Sequence, residues 1–132
     1  MKVIKDTRWL KFHNANPKNR NSDDCVIRAI SLATGKSWDE VLTSLCEIAL
    51  KEKRMPNEKE CYGKYLEKLG WKKQKQPRKS DNTKFTGKEF VTYFSGMAIA
   101  HIGGHHIVCI KEHKVWDTWD STEGCIGNYW VK

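Results

Sequence analysis

Apolar positions recur at helical spacing through the first two thirds of this chain and give way to short β-branched and aromatic runs in the last third. Residues 1–13 alternate loosely, with Val3, Ile4, Trp9, Leu10 and Phe12, and predict an edge strand. Residues 14–24, NANPKNRNSDD, are a dense cluster of turn formers and predict a loop. The run CVIRAISLATG follows it. Ser22, Asp23 or Asp24 can cap this segment, its apolar positions suit a buried helix, and Gly35 ends it. Cys25 therefore falls in the first turn of a helix.

A second helix is expected at 37–53, where Ser37 and Glu40 have capping-box spacing. Val41, Leu45 and Ile48, with Leu42, Cys46 and Ala49, form its apolar face. Residues 57–69 predict a third helix with Tyr62, Tyr65, Leu66 and Leu69 inward and Gly70 as terminator. The polar, basic stretch 71–85 reads as a long loop. Thr86 and Glu89 repeat the capping-box spacing before a short helix over FVTYF, which Gly96 ends. Strands are predicted at 97–102, 105–111, 113–118 and 126–131. Gly103-Gly104, a bend at Lys111 to Lys114 and the STEG turn separate them. Helices first and an antiparallel sheet second is an α+β arrangement. It is read as one domain over 1–132, helical at about 22–95 and sheet at about 97–131.

Composition narrows the class. A hydrophobic share of 39% beside 30% charged residues is a globular balance and excludes a disordered chain. No apolar run approaches the roughly 20 residues that span a bilayer, and the start lacks the apolar core of a secretory signal. No membrane partner and a cytoplasmic location are expected. Five cysteines, Cys25, Cys46, Cys61, Cys109 and Cys125, form no disulfide framework and no C-x-x-C pair, so free thiols are expected. Cys46 and Cys109 read as core residues; Cys61 and Cys125 fit either core or surface. The net charge of +8, with basic residues in 1–20, 51–54 and 72–79, admits an acidic partner at the loop KKQKQPRK. Ordinary solvated lysines explain the same charge.

A thiol becomes a strong nucleophile as a thiolate, and a helix N-terminus beside a cationic imidazole favours that form. Cys25 meets the first condition. A histidine at the entrance of a strand is held rigidly by the sheet, and His106, opening IVCI, suits the second; His105 competes, because adjacent strand residues face opposite sides. An acid at the end of the next antiparallel strand would orient the imidazole. Asp117, ending KVW, has that position, with Asp120 as its rival; Asp120 could instead cap a turn with Ser121. His13 and His113 read as surface residues. His101, His105 and Cys109 recur every four residues, a ligand spacing only on a helix, and these lie in predicted strands; no metal is expected.

The blocks NSDDCVIRAIS and GHHIVCIKEHKVWDTWDS together resemble the small papain-like cysteine-peptidase domains of bacteria and their phages. The D-C-x-x-R-A pattern of that family falls on Asp24, Cys25, Arg28 and Ala29. Its later hairpin falls on His106, Val108, Lys114, Asp117, Thr118, Trp119 and Asp120, with Tyr129 and Trp130 resembling the closing strand. The resemblance covers about a third of the chain. It implies Cys25 as nucleophile, His106 as general base and Asp117 as orienting acid. It also implies an oxyanion amide six residues before the nucleophile, at Asn19 with Asn21 as rival, beside the backbone N–H of Cys25. Trp119 and His105 would then flank the substrate.

The expectation is a thiol-dependent hydrolase, a peptidase or isopeptidase that forms an acyl-enzyme on a peptide or protein and needs no cofactor. Acyl transfer and deamidation use the same groups. The alternative is a non-catalytic scaffold of this architecture that binds nucleic acid or a host protein, such as a phage-encoded inhibitor.

Overall fold

A computed structural model describes residues 5–132. Val3 and Ile4 of the expected N-terminal strand lie outside the described residues. The strand that forms is β1, Leu10–Phe12. It is followed by α1 (Cys25–Thr34), α2 (Trp38–Glu52), α3 (Lys59–Lys68), β2 (Lys72–Gln74) and α4 (Gly87–Tyr93). The chain closes with β3 (Ala98–Ile102), β4 (His106–Lys111), β5 (Lys114–Asp117) and β6 (Ile126–Val131). The class is α+β, and the six strands share one sheet in the order β1-β5-β4-β3-β6-β2.

Local chemistry sets most boundaries. Gly35 ends α1 in the left-handed region, at φ 77°, and its N–H donates to Ser31 O. The Ser37 side chain accepts from the Glu40 N–H and starts α2. Thr86 and Glu89 complete a reciprocal capping box at α4, which begins at Gly87, three residues earlier than the apolar run implied. Between β4 and β5, Glu112 and His113 both have left-handed backbones, at φ 55° and 59°, the paired geometry of a two-residue hairpin.

Two features correct the sequence reading. The sheet is mixed, because β1 runs parallel to β5, with Leu10 level with Val115 and Phe12 with Asp117. The expected loop at 71–85 contains β2, antiparallel to the outer edge of β6. Trp71 anchors this strand in the core while Lys72 and Lys73 stay in solvent. An edge strand needs only backbone pairing on one side, so it carries little apolar signature.

The sheet has an apolar layer on each face. Ile99, Ile107, Cys109 and Trp130 pack against Ile27 and Ile30 of α1, Val41 and Leu45 of α2, and Tyr62 and Leu66 of α3. The alternate residues Ala100, Val108, Ile110, Val115 and Ile126 pack with Leu10 and with Phe90 and Val91 of α4. Helices therefore cover both faces, not one. Cys46, expected in the core, is exposed, because α2 turns Val41, Leu45 and Ala49 inward and leaves Cys46 beyond that stripe. Cys61 and Cys109 are buried, Cys125 is exposed, and all five thiols are free. Among the described residues no helix is long and apolar enough to cross a membrane.

Candidate active site

Asp24 occupies the N-cap position of α1 without capping it through its side chain. Its carboxylate accepts instead from Arg28 Nε at 2.8 Å, Trp38 Nε1 at 2.9 Å and Asn16 Nδ2 at 3.2 Å. The first N–H groups of a helix lack intrahelical acceptors, so the start of α1 keeps donors and a positive dipole end beside Cys25.

Helix α1 lies across β4 and brings Cys25 to His106. His106 Nε2 is 2.6 Å from Asp117 Oδ2, which leaves the other ring nitrogen for the thiol. His106 and the Ile107 N–H act on the Cys25 thiol and lower it. Cys109 lies level with Trp116 and Ile110 with Val115. Continuing that register sets Asp117 level with Val108, so it reaches His106 diagonally along one strand face rather than from directly across.

Asp117 is only 1% exposed, and its remaining lone pairs are occupied. Ser121 Oγ donates to Oδ2 at 2.6 Å, and the Thr118 N–H donates to Oδ1 at 2.7 Å. Arg28 Nη1 lies 3.3 Å from Oδ1 and 3.3 Å from Thr118 Oγ1. Arg28 thus ties Asp117 to Asp24, the residue before Cys25. The Trp119 ring sits 4.9 Å from the His106 ring, tilted by 43°, with half of its surface exposed.

Burial works against each charge here, and the partners win. At Cys25 burial raises the thiol, but hydrogen bonds from His106 and the Ile107 N–H, with the charges of His106 and Arg28, hold it below its usual value of 9.0. At His106 burial favours the neutral ring, yet the hydrogen bonds to Asp117 and Cys25 push the imidazole up to about 9. At Asp117 burial raises the carboxyl, while His106 and Ser121 bring it below the ordinary carboxylate value. The shifts at Cys25 and His106 both run toward a thiolate–imidazolium pair.

The other expected site residues are placed differently. Asn19 is exposed, and its carboxamide oxygen accepts from Asn14 Nδ2 at 3.3 Å within the loop. Asn16 is the loop amide that bonds to the start of α1. Asn21 is exposed. Asp120 closes its own turn, accepting from the Thr122 N–H at 3.1 Å and from the Thr122 hydroxyl, while Ser121 goes to Asp117. His105 is exposed in the turn before β4. His113 is exposed as expected, whereas His13 is half-buried against the edge of Trp116.

Sequence reasoning treated Arg28 only as a position in a motif and missed its bridge. The available signal was a guanidinium four residues after Asp24 on an otherwise apolar helix face. Among the described residues no three His, Cys, Asp or Glu side chains are grouped to hold a metal. His101 and Cys109 sit on neighbouring strands, with Cys109 sealed in the core.

A recess of about 590 Å³ lies by α4, lined by Trp9, Phe85 and Tyr93, and contains none of the Cys25, His106 and Asp117 side chains. A cleft of about 490 Å³ walled by Glu58, Lys59, Glu60, Tyr62, His101 and Ile107 likewise contains none of them. In comparisons with protein-family models, characterised proteins and solved structures, nothing matches this chain.

Proposed function

We propose that the protein is a papain-like, thiol-dependent hydrolase that cleaves an amide or isopeptide bond of a peptide or protein through an acyl-enzyme. The observation that carries this reading is the convergence of Cys25 at a helix start, His106 on the thiol, and the buried Asp117 at 2.6 Å from the imidazole.

In the proposed reaction the Cys25 thiolate attacks the carbonyl carbon, and the carbonyl π electrons move onto oxygen. The Cys25 N–H, at the helix start, donates to that oxyanion. As the tetrahedral intermediate collapses, the C–N bond breaks and the His106 imidazolium gives its proton to the departing amine. A water then attacks the thioester, His106 takes the water's proton, and the carboxylic acid leaves as the thiolate returns. Asp117 keeps the ring in the orientation that serves both transfers. Arg28 and Ser121 keep Asp117 ionised and in place.

The test is a fluorogenic peptide mixture assayed with the wild type and with Cys25→Ala. Turnover by the wild type that vanishes in the variant supports the reading; equal turnover in both refutes it. A second reading, a binding scaffold for an acidic partner, is favoured by the exposed Lys72, Lys73, Lys75 and Arg78 along and after β2. Under that reading, steeply salt-dependent nucleic-acid binding survives Cys25→Ala.

A further inference from the structure

Helices α2 and α4 begin alike. Ser37 and Thr86 have extended backbones, at φ −67°, ψ 155° and φ −77°, ψ 166°, and each hydroxyl accepts from the N–H three residues on. Asp24, at the N-cap of α1, does neither. Its backbone stands at φ −111°, ψ 23°, and its side chain makes no capping bond. An N-cap aspartate ordinarily accepts from the second or third N–H of its helix, here that of Val26 or Ile27.

Both carboxylate oxygens of Asp24 are engaged elsewhere. Oδ1 accepts from Arg28 Nε at 2.8 Å, and Arg28 reaches on to Asp117 at 3.3 Å. Oδ2 accepts from Trp38 Nε1 at 2.9 Å and from Asn16 Nδ2 at 3.2 Å. With Asp24 only 4% exposed, these donors stand in for water. Trp38 gives the shorter bond to Oδ2, and its own place is fixed twice. It is the first residue of α2, directly after the Ser37 cap, and its ring packs on the core.

The position of that carboxylate bears on Cys25, the first residue of α1. On the Val26 or Ile27 N–H it would set a negative charge at the positive end of the helix, beside the thiol, and oppose the thiolate. The other titratable groups acting at the thiol are Arg28 of α1, His106 of β4 with Asp117 of β5 behind it, and Tyr62 of α3. The Tyr62 phenol is pushed up to about 12, by burial first and then by Cys25. Among the described residues the indole N–H bonds to Asp24 and to none of these.

We infer that Trp38 is a positioning residue: its indole N–H, seconded by the Asn16 amide, holds the Asp24 carboxylate away from the first amides of α1. A negative charge is thereby kept off the helix end that carries Cys25. The inference rests on the proposed thiol hydrolase and deepens it, naming what keeps the helix start fit for an anionic sulfur.

The experiment alkylates the full chain with iodoacetamide across pH and reads the midpoint of Cys25 by mass spectrometry, with the exposed Cys46 as reference thiol. Trp38→Phe keeps an aromatic ring and removes the N–H. The expected result is a Cys25 midpoint raised by about one pH unit. In an Asp24→Asn background, where the capping side chain carries no charge, the same substitution leaves the midpoint in place. Asn16→Ala, in the loop before α1, removes the longer bond to the same oxygen and raises the midpoint by less; it decides the matter if Trp38→Phe does not fold. A midpoint unmoved or lowered in the deciding variant overturns the positioning role. An equal rise with and without Asp24→Asn also overturns it, since the effect then bypasses the carboxylate. In either case a wild-type Cys25 that outpaces Cys46 leaves the hydrolase standing. If Cys25 does not outpace Cys46 in the wild type, the activated thiol fails and the positioning role falls with it.

Discussion

Cys25 and Cys109 are both drawn away from water, and their thiols move in opposite directions. Cys109, in the middle of β4, is wholly buried; burial pushes its thiol up to about 12, and the Lys111 charge opposes this only in part. Cys25 experiences the same kind of burial but faces His106, the Ile107 N–H and Arg28, and its thiol goes down. Burial alone therefore raises a thiol, and the surrounding donors and cations reverse the shift. Those partners belong to one end of the sheet. The buried polar residues Asp24, Arg28, Asp117, Ser121 and Thr122 gather there, while the sheet centre around Cys109 is apolar.

The largest effect expected is chemical. Cys25→Ala lowers amide hydrolysis by roughly a thousandfold or more, while Cys109→Ala leaves the reacting sulfur in place and costs stability alone. Turnover and denaturant midpoints measured on both variants check this separation, and equal losses of turnover would erase the contrast between the two thiols. Next is Arg28→Met, which leaves the Asp24 and Asp117 carboxylates buried beside each other without their shared cation. A destabilisation of about 3–5 kcal/mol by urea unfolding is expected, and a loss below about 1 kcal/mol would show that the bridge is dispensable.

The pH dependence sharpens the comparison further. The imidazole of His106 is raised from 6.5 to about 9, so its stabilising contribution is full below pH 6.5 and is lost as pH rises through 9. The lowered Cys25 thiol has the opposite sign: its contribution is present above 9 and is lost as pH falls through its folded value. In the wild type the two slopes oppose each other between these limits. Cys25→Ala removes the thiol's slope together with its share of the His106 shift, while Asp117 still raises the imidazole. The variant's stability therefore declines above pH 6.5, where that of the wild type stays flatter. Parallel slopes from urea midpoints across that range would contradict the coupled pair. The smallest effect is at Tyr65, whose hydroxyl is buried with no hydrogen-bond partner among the described residues. Tyr65→Phe should stay within about 0.5 kcal/mol of the wild type or exceed it by up to about 1 kcal/mol, and a larger loss would reveal a partner for the hydroxyl.

Features written in local chemistry were legible from the sequence. Gly35, the Ser37 and Thr86 caps and the alternation in 97–111 set helix ends and strand faces through neighbouring residues alone. Contacts made at long range were not. The parallel pairing of β1 with β5 joins segments about a hundred residues apart, and nothing in Leu10–Phe12 specifies strand direction. Strand β2 is lysine-rich and declares itself only through its bonds to β6. At the site, the positions of Cys25, His106 and Asp117 follow from a helix start and a hairpin. The loop over 14–24 could not be resolved by spacing, and there Asn16, not Asn19, bonds to the helix entrance. The choice between Asp117 and Asp120 likewise depends on turn geometry: Asp120 spends its oxygen on Thr122, while Asp117 collects His106, Ser121 and Arg28.

The central claim is that His106 makes the thiolate of Cys25, and site-resolved alkylation of all five thiols against pH, in wild type and His106→Ala, tests it most directly. Cys25 is expected to react far faster than Cys46 and Cys125 below pH 7 in the wild type and to lose that advantage without His106, burial then raising its thiol as it raises that of Cys109. A Cys25 that reacts at the same ordinary rate in both proteins would contradict it.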